Sequence, residues 1–195
     1  QKDDLQQIIT QVEEWKKGIK LEGLSEPLSE FYRISAEAEL MGRNRDRIAY
    51  RKGVNAVMVV VENFTPSTDQ EGIQQKRLLS FIIQSLAIDY SFEQKIDKKT
   101  ESLIEELFSQ SEELKKEVND LQGLAINLGS RGSYHLFTTK KISIAREFLS
   151  RDLELCEQMG TRGDMSAIYN KLSMCDWIDA NECTDTGGKK LLQNN

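Results

Sequence analysis

Residue types that commonly carry chemistry are scarce in this sequence. His135 is the one histidine, so zinc sites built on two histidines and the paired Glu-x-x-His motifs of a di-iron bundle are excluded. A single histidine between Tyr134 and Leu136 is typical of a partly exposed neutral side chain rather than a catalyst.

No glycine lies five residues before Gly188 and no Ser or Thr follows Lys189, so Gly187-Gly188-Lys189 lacks the spacing of a phosphate-binding loop. These patterns predict no enzyme activity, no metal site and no bound cofactor.

The three cysteines include no C-x-x-C pair. Cys156 and Cys175 both fall on apolar stripes, which predicts small buried hydrophobic side chains. If the chain turns at residues 160–163, their levels along two antiparallel helices differ by about 12 Å, which is too far for a disulfide. Cys175 and Cys183 are the pair that a disulfide could join, because we expect the helix to end near Ala180. Reduced thiols remain the expectation.

The bulk composition is that of a helical protein. The chain has 195 residues, two prolines and 30% charged residues, which suits helices with charged outer faces. A formal net charge of −6 argues against a nucleic-acid partner. No apolar run approaches the roughly 18 residues that a membrane-spanning helix needs. We predict an all-α fold of about eight helices, with a single domain over residues 1–183 and a flexible polar tail over residues 184–195.

Hydrophobic periodicity places the helices that position these residues. The clearest apolar stripe lies in Asp3–Leu21, and a second helix is predicted from Ser25 to Met41. The run from Val57 to Val61 is β-branched and would suit a strand, but we predict a helix because no partner strand is evident. The charged residues of Glu101–Val118 are predicted to form a solvated helix face.

Two glycines and a serine follow one another at helical spacing in the second half. A glycine inside a helix costs about 1 kcal/mol relative to alanine, so Gly129 and Gly132 would suit a loop that cradles an anion at a helix start. We predict instead that Gly129, Gly132 and Ser133 form one small-residue helix face that a neighbouring helix approaches closely, because Leu124–Phe137 is long for a structureless connection.

The stretch from Gly123 to Leu172 resembles the tetratricopeptide repeat, in its longer variant of about 40 residues per helical hairpin. The residues that carry the resemblance are Gly123-Leu-Ala-Ile-Asn-Leu-Gly129, Gly132-Ser133, Ala145, Leu149, Leu153-Glu-Leu-Cys-Glu-Gln-Met-Gly160 and Arg162-Gly163. With Ser133 in the small-residue position, its equivalents at intervals of 40 are Gly53, Glu93 and Ser173, of which Glu93 does not fit. The resemblance implies antiparallel helical hairpins stacked as an array.

In that family the inner face of the first helices grips a peptide or a partner helix. Carried over to this sequence, the resemblance implies a column of groove residues: Arg51, Ser91, Arg131 and Lys171, with Asn127 and Asn170 as neighbouring donors. The three basic side chains would favour a protein or peptide partner with an acidic or carboxylate-bearing segment. The cluster Arg43-Asn-Arg45-Asp-Arg47 together with Arg51 is otherwise predicted to be a hydrated helix start.

The predicted function is a non-enzymatic scaffold for protein–protein interaction. A first alternative is a compact helical-bundle adaptor of the cell envelope, or a secreted toxin or immunity component, which a disulfide between Cys175 and Cys183 would favour. A second alternative is a regulatory helical domain of a larger enzyme, which activity lost on His135→Ala would support. A cytoplasmic location is expected, and a secreted or envelope location stays open because the sequence begins at Gln1 without an initiator Met.

Overall fold

Seven α-helices follow one another along the described part of the chain, and they are joined by short connections. The computed structural model describes residue 10 and residues 23–41 and 46–193. The helices are α1 (Ser25–Met41), α2 (Arg47–Glu62), α3 (Asp69–Ser91), α4 (Lys98–Glu117), α5 (Leu121–Tyr134), α6 (Ile142–Met159) and α7 (Arg162–Gln193). One π-helical segment, His135–Thr139, continues α5. The described residues contain no β-strand, which confirms the all-α prediction, whereas the predicted helix Asp3–Leu21 lies outside them apart from residue 10.

Side-chain caps explain where four of these helices begin. Asp46, Thr68, Asp97 and Asp120 each precede a helix and accept hydrogen bonds from backbone N–H groups of its first turn. Such a cap satisfies donors that have no partner inside the helix. At the other end of α6, Gly160 has φ +70° and stops the helix in the left-handed conformation that glycine adopts without strain.

Each helix packs against the next one, and the core consists of two main clusters. The larger cluster joins α1 to α4 around Phe31, Val54, Ile82 and Phe108. The second cluster joins α5, α6 and α7. Contacts between α3 and α5 connect the two halves, and Tyr134 at the end of α5 packs into the larger cluster. The described chain is therefore a row of neighbouring helices with contact between alternate helices, as in stacked hairpins.

The β-branched run of α2 is helical, as the sequence predicts. Val57 and Val61 lie in the core one helical turn apart, while Val59 and Val60 are exposed. A strand would place alternate residues on one face, whereas the burial of Val54, Val57 and Val61 follows the helical period. Tertiary packing on the core therefore overrides the strand preference of valine.

The small-residue face of α5 is confirmed for its two glycines. A Cβ atom at Gly132 would lie 2.8 Å from Cγ of Leu149 and 3.3 Å from the carbonyl oxygen of Ala145 on α6. A Cβ atom at Gly129 would lie 2.4 Å from a carboxylate oxygen of Asp152. The two helices thus approach each other where α5 has no side chain, which offsets the intrinsic helix cost of glycine.

The 40-residue interval spans two helices in the second half of the chain, but in the first half the helices are out of step with it. Ser133 and Ser173 lie on α5 and α7, which are two helices apart as a hairpin repeat requires. Gly53 lies on α2, three helices before α5, and is therefore out of phase. The physical reason is length, since α3 has 23 residues and α4 has 20, so fewer helices fit into the same stretch of chain.

The last helix is longer than the sequence analysis predicts. We expected a helix end near Ala180, but α7 continues to Gln193, so that prediction is wrong. The domain boundary between residues 183 and 184 stays a prediction. No helix among the described residues combines the length and the apolar character needed to cross a membrane.

Candidate functional site

A groove lies between the alternate helices α3, α5 and α7, and we call it the inner groove. Its cavity has a volume of about 510 Å³. The end of α3 forms one wall, α5 and the start of the π-helical segment form the centre, and α7 forms the opposite wall, with three α6 residues at the floor. A cavity of several hundred cubic ångströms falls within the range of ligand-binding sites in proteins.

The inner groove exposes large apolar side chains to solvent. Phe92, Ile126 and Phe137 line it, and their exposed fractions are 65%, 55% and 47%. Three such side chains around one cavity form a surface that gains free energy when apolar groups cover it. None of these three residues was among the predicted site residues. The exposure of Ile126 was predictable from the sequence, because Ile126 lies off the apolar stripe through which α5 packs on its neighbours.

The polar groups of the inner groove are mostly hydrogen-bond acceptors. The hydroxyl groups of Ser91, Ser130 and Ser133 donate to the backbone carbonyls of Ile88, Ile126 and Gly129 within their own helices. The Ser91 and Ser133 oxygens keep lone pairs that can accept from a bound N–H group, whereas Ser130 already accepts from Gln84 Nε2 at 3.4 Å. At the floor, Asp152 is a buried carboxylate that accepts a weak hydrogen bond from the Cys156 thiol at 3.7 Å.

Two residues of the predicted groove column, Ser91 and Lys171, line the inner groove. Lys171 stands on the α7 wall and forms no hydrogen bond or ion pair with other described residues. Its neighbour Asn170 is exposed and does not line the cavity. Ser133 lines the cavity from α5, whereas its counterpart Ser173 on α7 is exposed outside it. The groove column implied by the resemblance is therefore only partly reproduced in space.

Arg51 lies between α2 and α3, away from the inner groove. Its Nε donates to the buried carboxylate of Asp89 at 2.6 Å, and Nη1 donates to Glu93 at 2.5 Å. The guanidinium also stacks on the Tyr90 ring, with Cζ 3.7 Å from the ring centroid.

Arg47 adds a hydrogen bond to the backbone carbonyl of Asp89. Arg47 and Arg51 of the basic cluster thus join helices, and Arg43 and Arg45 lie outside the described residues.

Arg131 joins α5 to α4 and α6 instead of facing the inner groove. Its guanidinium donates to Glu105 at 2.9 and 2.6 Å and stacks on Phe148, with Cζ 4.2 Å from the ring centroid. A second α4 carboxylate, Glu112, bonds Arg151 of α6 at 2.6 Å. Burial raises the pKa of both glutamates. The contacts of Glu105 with His135 and Arg131, and those of Glu112 with Lys116 and Arg151, outweigh burial and hold each pKa below its usual value.

The charged face of α4 is therefore not wholly solvated, which corrects the sequence prediction. Glu112 and Lys115 are buried between helices. Lys115 is 2% exposed, and its Nζ donates to the Ser80 carbonyl, Gln84 Oε1 and Ser111 Oγ. Hydrophobic periodicity missed these residues because their burial depends on partners that are distant along the chain.

His135 is buried rather than partly exposed, which corrects a second prediction. It is 3% exposed and stacks on Phe148, with ring centroids 5.7 Å apart. Its Nδ1 lies 3.1 Å from Thr139 Oγ1, and its Nε2 lies 2.9 Å from Glu105 Oε1 without the alignment of a hydrogen bond. These contacts give His135 a role in packing α5 against α4 and α6, and the inner groove does not include it.

Asn127 is a core residue rather than a groove donor. It is fully buried, and its Nδ2 donates to the carbonyl oxygen of Phe108 on α4 at 3.0 Å. Asn127 and Arg131 lie on one face of α5, directed at α4. Of the five predicted partner-binding residues, Asn127, Arg131 and Arg51 thus serve contacts between helices in this structure.

The two cysteines whose side chains the structure describes are buried, which confirms the prediction of small hydrophobic side chains. Cys156 and Cys175 belong to the cluster that joins α5, α6 and α7. Burial raises the pKa of the Cys175 thiol above its usual value. The fold-back that would pair Cys175 with Cys183 is not formed, because both residues lie on the continuous helix α7, where eight residues span about 12 Å. In the described part of the chain, no group of three or more His, Cys, Asp or Glu residues is arranged to hold a metal ion.

These features define the class of protein: an all-α array of consecutively packed helices with a groove along its alternate helices. Comparison with protein-family models, with curated proteins and with solved structures finds no significant match for this chain.

Proposed function

We propose that this chain is a non-enzymatic interaction scaffold that binds a peptide segment of a partner protein in the inner groove. The observation that carries the proposal is the shared cavity of α3, α5 and α7, with its exposed apolar side chains and the ammonium group of Lys171, which pairs with no other described residue. The resemblance of residues 123–172 to tetratricopeptide hairpins supports the same reading. In that family alternate helices line the binding groove.

The chemistry of the inner groove specifies the peptide. Phe92, Ile126 and Phe137 favour apolar side chains, because covering exposed apolar surface contributes roughly 25 cal/mol per Å². Two of the serine hydroxyls can accept from backbone N–H groups of the peptide. Lys171 favours a carboxylate at the α7 end of the groove. The predicted ligand is therefore a short segment with apolar side chains followed or preceded by an acidic residue.

Selection from a displayed random-peptide library tests this proposal. The wild-type chain should enrich peptides that combine apolar residues with Asp or Glu. One enriched peptide is then made synthetically and titrated against Ile126→Glu, with Val59→Glu as the matched control because Val59 is similarly exposed on α2. Ile126→Glu should weaken binding about tenfold or more, and Val59→Glu should leave it unchanged.

A charge swap assigns the role of Lys171. Lys171→Glu should weaken binding of the acidic peptide about threefold to tenfold, and a peptide with Lys in place of its acidic residue should bind this variant better than the wild type. Arg131→Glu is not a suitable probe, because it would break the contacts with Glu105 and Phe148. The proposal fails if no peptide is enriched, or if the enriched peptides bind Ile126→Glu as tightly as the wild type.

A further inference from the structure

A second groove lies at the other end of the array, between α1 and α2, and we call it the α1–α2 groove. Its cavity has a volume of about 580 Å³. Pro27, Glu30, Ile34 and Ala38 line it from α1, and Gly53, Val57 and Val60 are among its lining residues on α2. Phe31, Val54 and Val61 turn to the larger core cluster, to which the groove-lining Val57 also belongs, and the lining residues Pro27 and Ala38 are buried.

The floor of the α1–α2 groove is apolar and shaped for a helix. Ile34 packs on Gly53, where an added Cβ atom would lie 3.1 Å from Ile34 Cδ1. This contact brings α1 and α2 close and leaves a shallow trough above them. Ala49, Ala56 and Val60 are exposed along its α2 side. An apolar trough between two packed helices suits the apolar stripe of a third helix.

The chain itself provides a segment of matching length directly before α1 in the sequence. Residues 3–21 carry an apolar stripe at helical spacing: Leu5, Ile8, Ile9, Val12, Trp15 and Ile19. As a helix, this segment would be about 28 Å long at about 1.5 Å per residue, and the 17 residues of α1 span about 25 Å. Gly23, with φ +61°, lies between the segment and α1 and suits a tight reversal of the chain.

The apolar residues of the segment fall opposite the lining residues of α1. In an antiparallel pair that reverses at Gly23, residues equally far from Gly23 stand at the same level. By this count Ile19 faces Pro27, Val12 faces Ile34, and Ile8 faces Ala38.

The charges match in the same register. By the same count Lys20 would stand opposite Glu26, Lys16 opposite Glu30, and Glu13 opposite Arg33, so three pairs would carry opposite charge. Glu26, Glu30 and Arg33 all line the α1–α2 groove. A specific antiparallel helix contact has this pattern: apolar residues face apolar residues, and charges of opposite sign face each other on either side.

We propose that residues 3–21 of this chain occupy the α1–α2 groove as an antiparallel helix and cap the first end of the array. Helical arrays need such caps, because the apolar face of a terminal hairpin otherwise stays in water. This site is separate from the inner groove, and a failure of either proposal leaves the other standing.

Disulfide cross-linking tests the register directly. Val12→Cys combined with Ile34→Cys is compared with Gln11→Cys combined with Ile34→Cys, both in full-length chains that carry Cys183→Ser. The remaining cysteines, Cys156 and Cys175, are buried. Mild oxidation should close the first pair within one chain about tenfold faster than the second, because a shift of one residue turns a helical side chain by about 100°.

Two results would overturn the proposal. One is equal cross-linking of the two pairs. The other is cross-linking that yields only dimers, which would make a second copy of the chain the occupant. Hydrogen exchange on the wild-type chain gives a test without substitutions: amides of residues 5–19 should exchange at least about tenfold slower than in the isolated peptide, and Ile34→Glu should remove that protection. Exchange at the rate of the isolated peptide in the wild type contradicts the proposal.

Discussion

Gly132 on α5 faces Leu149 on α6 so closely that an added Cβ atom would lie 2.8 Å from Leu149 Cγ. Leu149 is fully buried in the cluster that joins α5, α6 and α7. The backbone carbonyl of Ala145 limits movement on the same side, at 3.3 Å from that Cβ position. The spacing of α5 and α6, and with it the floor of the inner groove, therefore depends on a glycine at this position.

We expect Gly132→Ala to destabilise the chain although alanine favours helices. Overpacking typically costs about 1–3 kcal/mol, and the gain in helix propensity is about 1 kcal/mol, so the free energy of unfolding should fall by about 1–2 kcal/mol. Gly72→Ala is the matched control, since a Cβ atom there would meet only Pro66, at 3.8 Å. Denaturant unfolding should show Gly72→Ala to be neutral or up to about 1 kcal/mol more stable.

Introducing Gly132→Ala into the Leu149→Ala variant tests whether the contact with Leu149 causes the loss of stability. With the leucine truncated, Gly132→Ala should be neutral or stabilising, and the two substitutions should show a coupling of about 1 kcal/mol or more. Equal losses in both backgrounds would show that the contact with Leu149 is not the cause.

The close contact between α5 and α6 was predictable, because the pattern that indicates it lies within one short stretch of the chain. Two glycines at helical spacing in a stretch too long for a loop indicate a close helix approach, and the structure confirms it. The positions of Arg51 and Arg131 could not be predicted from a local pattern. A fixed interval of 40 assigned both to one groove, but the lengths of α3 and α4 shift the phase between them. Side-chain partners such as Asp89 and Glu105 depend on that phase and are distant along the chain.

We expect Asn127→Asp to destabilise the chain strongly. The fully buried Asn127 donates from Nδ2 to the Phe108 carbonyl, and a carboxylate could not donate there. An unpaired buried charge facing a carbonyl oxygen should lower the free energy of unfolding by about 3 kcal/mol or more at neutral pH. The exposed Asn170→Asp on α7 is the control and should change it by less than about 0.5 kcal/mol. Similar small effects at both sites in thermal and denaturant unfolding would contradict the placement of Asn127 in the core.

We expect Arg51→Met to cost about 2–3 kcal/mol of stability, because the Asp89 carboxylate is 1% exposed and would lose its closest cation. Arg47 remains 3.7 Å from Asp89 and limits the loss. The exposed Arg77→Met on α3 is the matched control and should have little effect. In the double variant with Asp89→Asn, most of the lost stability should return, since the uncompensated charge is gone. A double variant that is no more stable than Arg51→Met would refute this account.

The buried amine of Lys115 predicts how stability depends on pH in the alkaline range. Burial lowers the pKa of Lys115 from 10.5 to about 8, and the negative charge of Asp120 opposes that shift only in part. Below about pH 8 the amine is charged in the folded and the unfolded chain, so the folded chain carries the full cost of a buried charge. Between pH 8 and 10.5 the folded amine loses its proton first, and the unfolded chain then holds more protons. The free energy of unfolding therefore rises with pH in this window, by about 1–2 kcal/mol between about pH 7.5 and 9.5.

Comparison of Lys115→Met with the wild type isolates this contribution. The variant should lack the rise, whereas Lys99→Met, at an exposed position of α4, should keep it. The pKa of Tyr134 is raised to about 12 by burial and by the charges of Glu101 and Glu105, so its contribution falls above this window. The raised pKa of the Cys175 thiol affects all three chains equally and cancels in the differences. Urea unfolding at a series of pH values measures the effect, and parallel curves for the wild type and Lys115→Met would show that the Lys115 amine keeps its charge inside the fold.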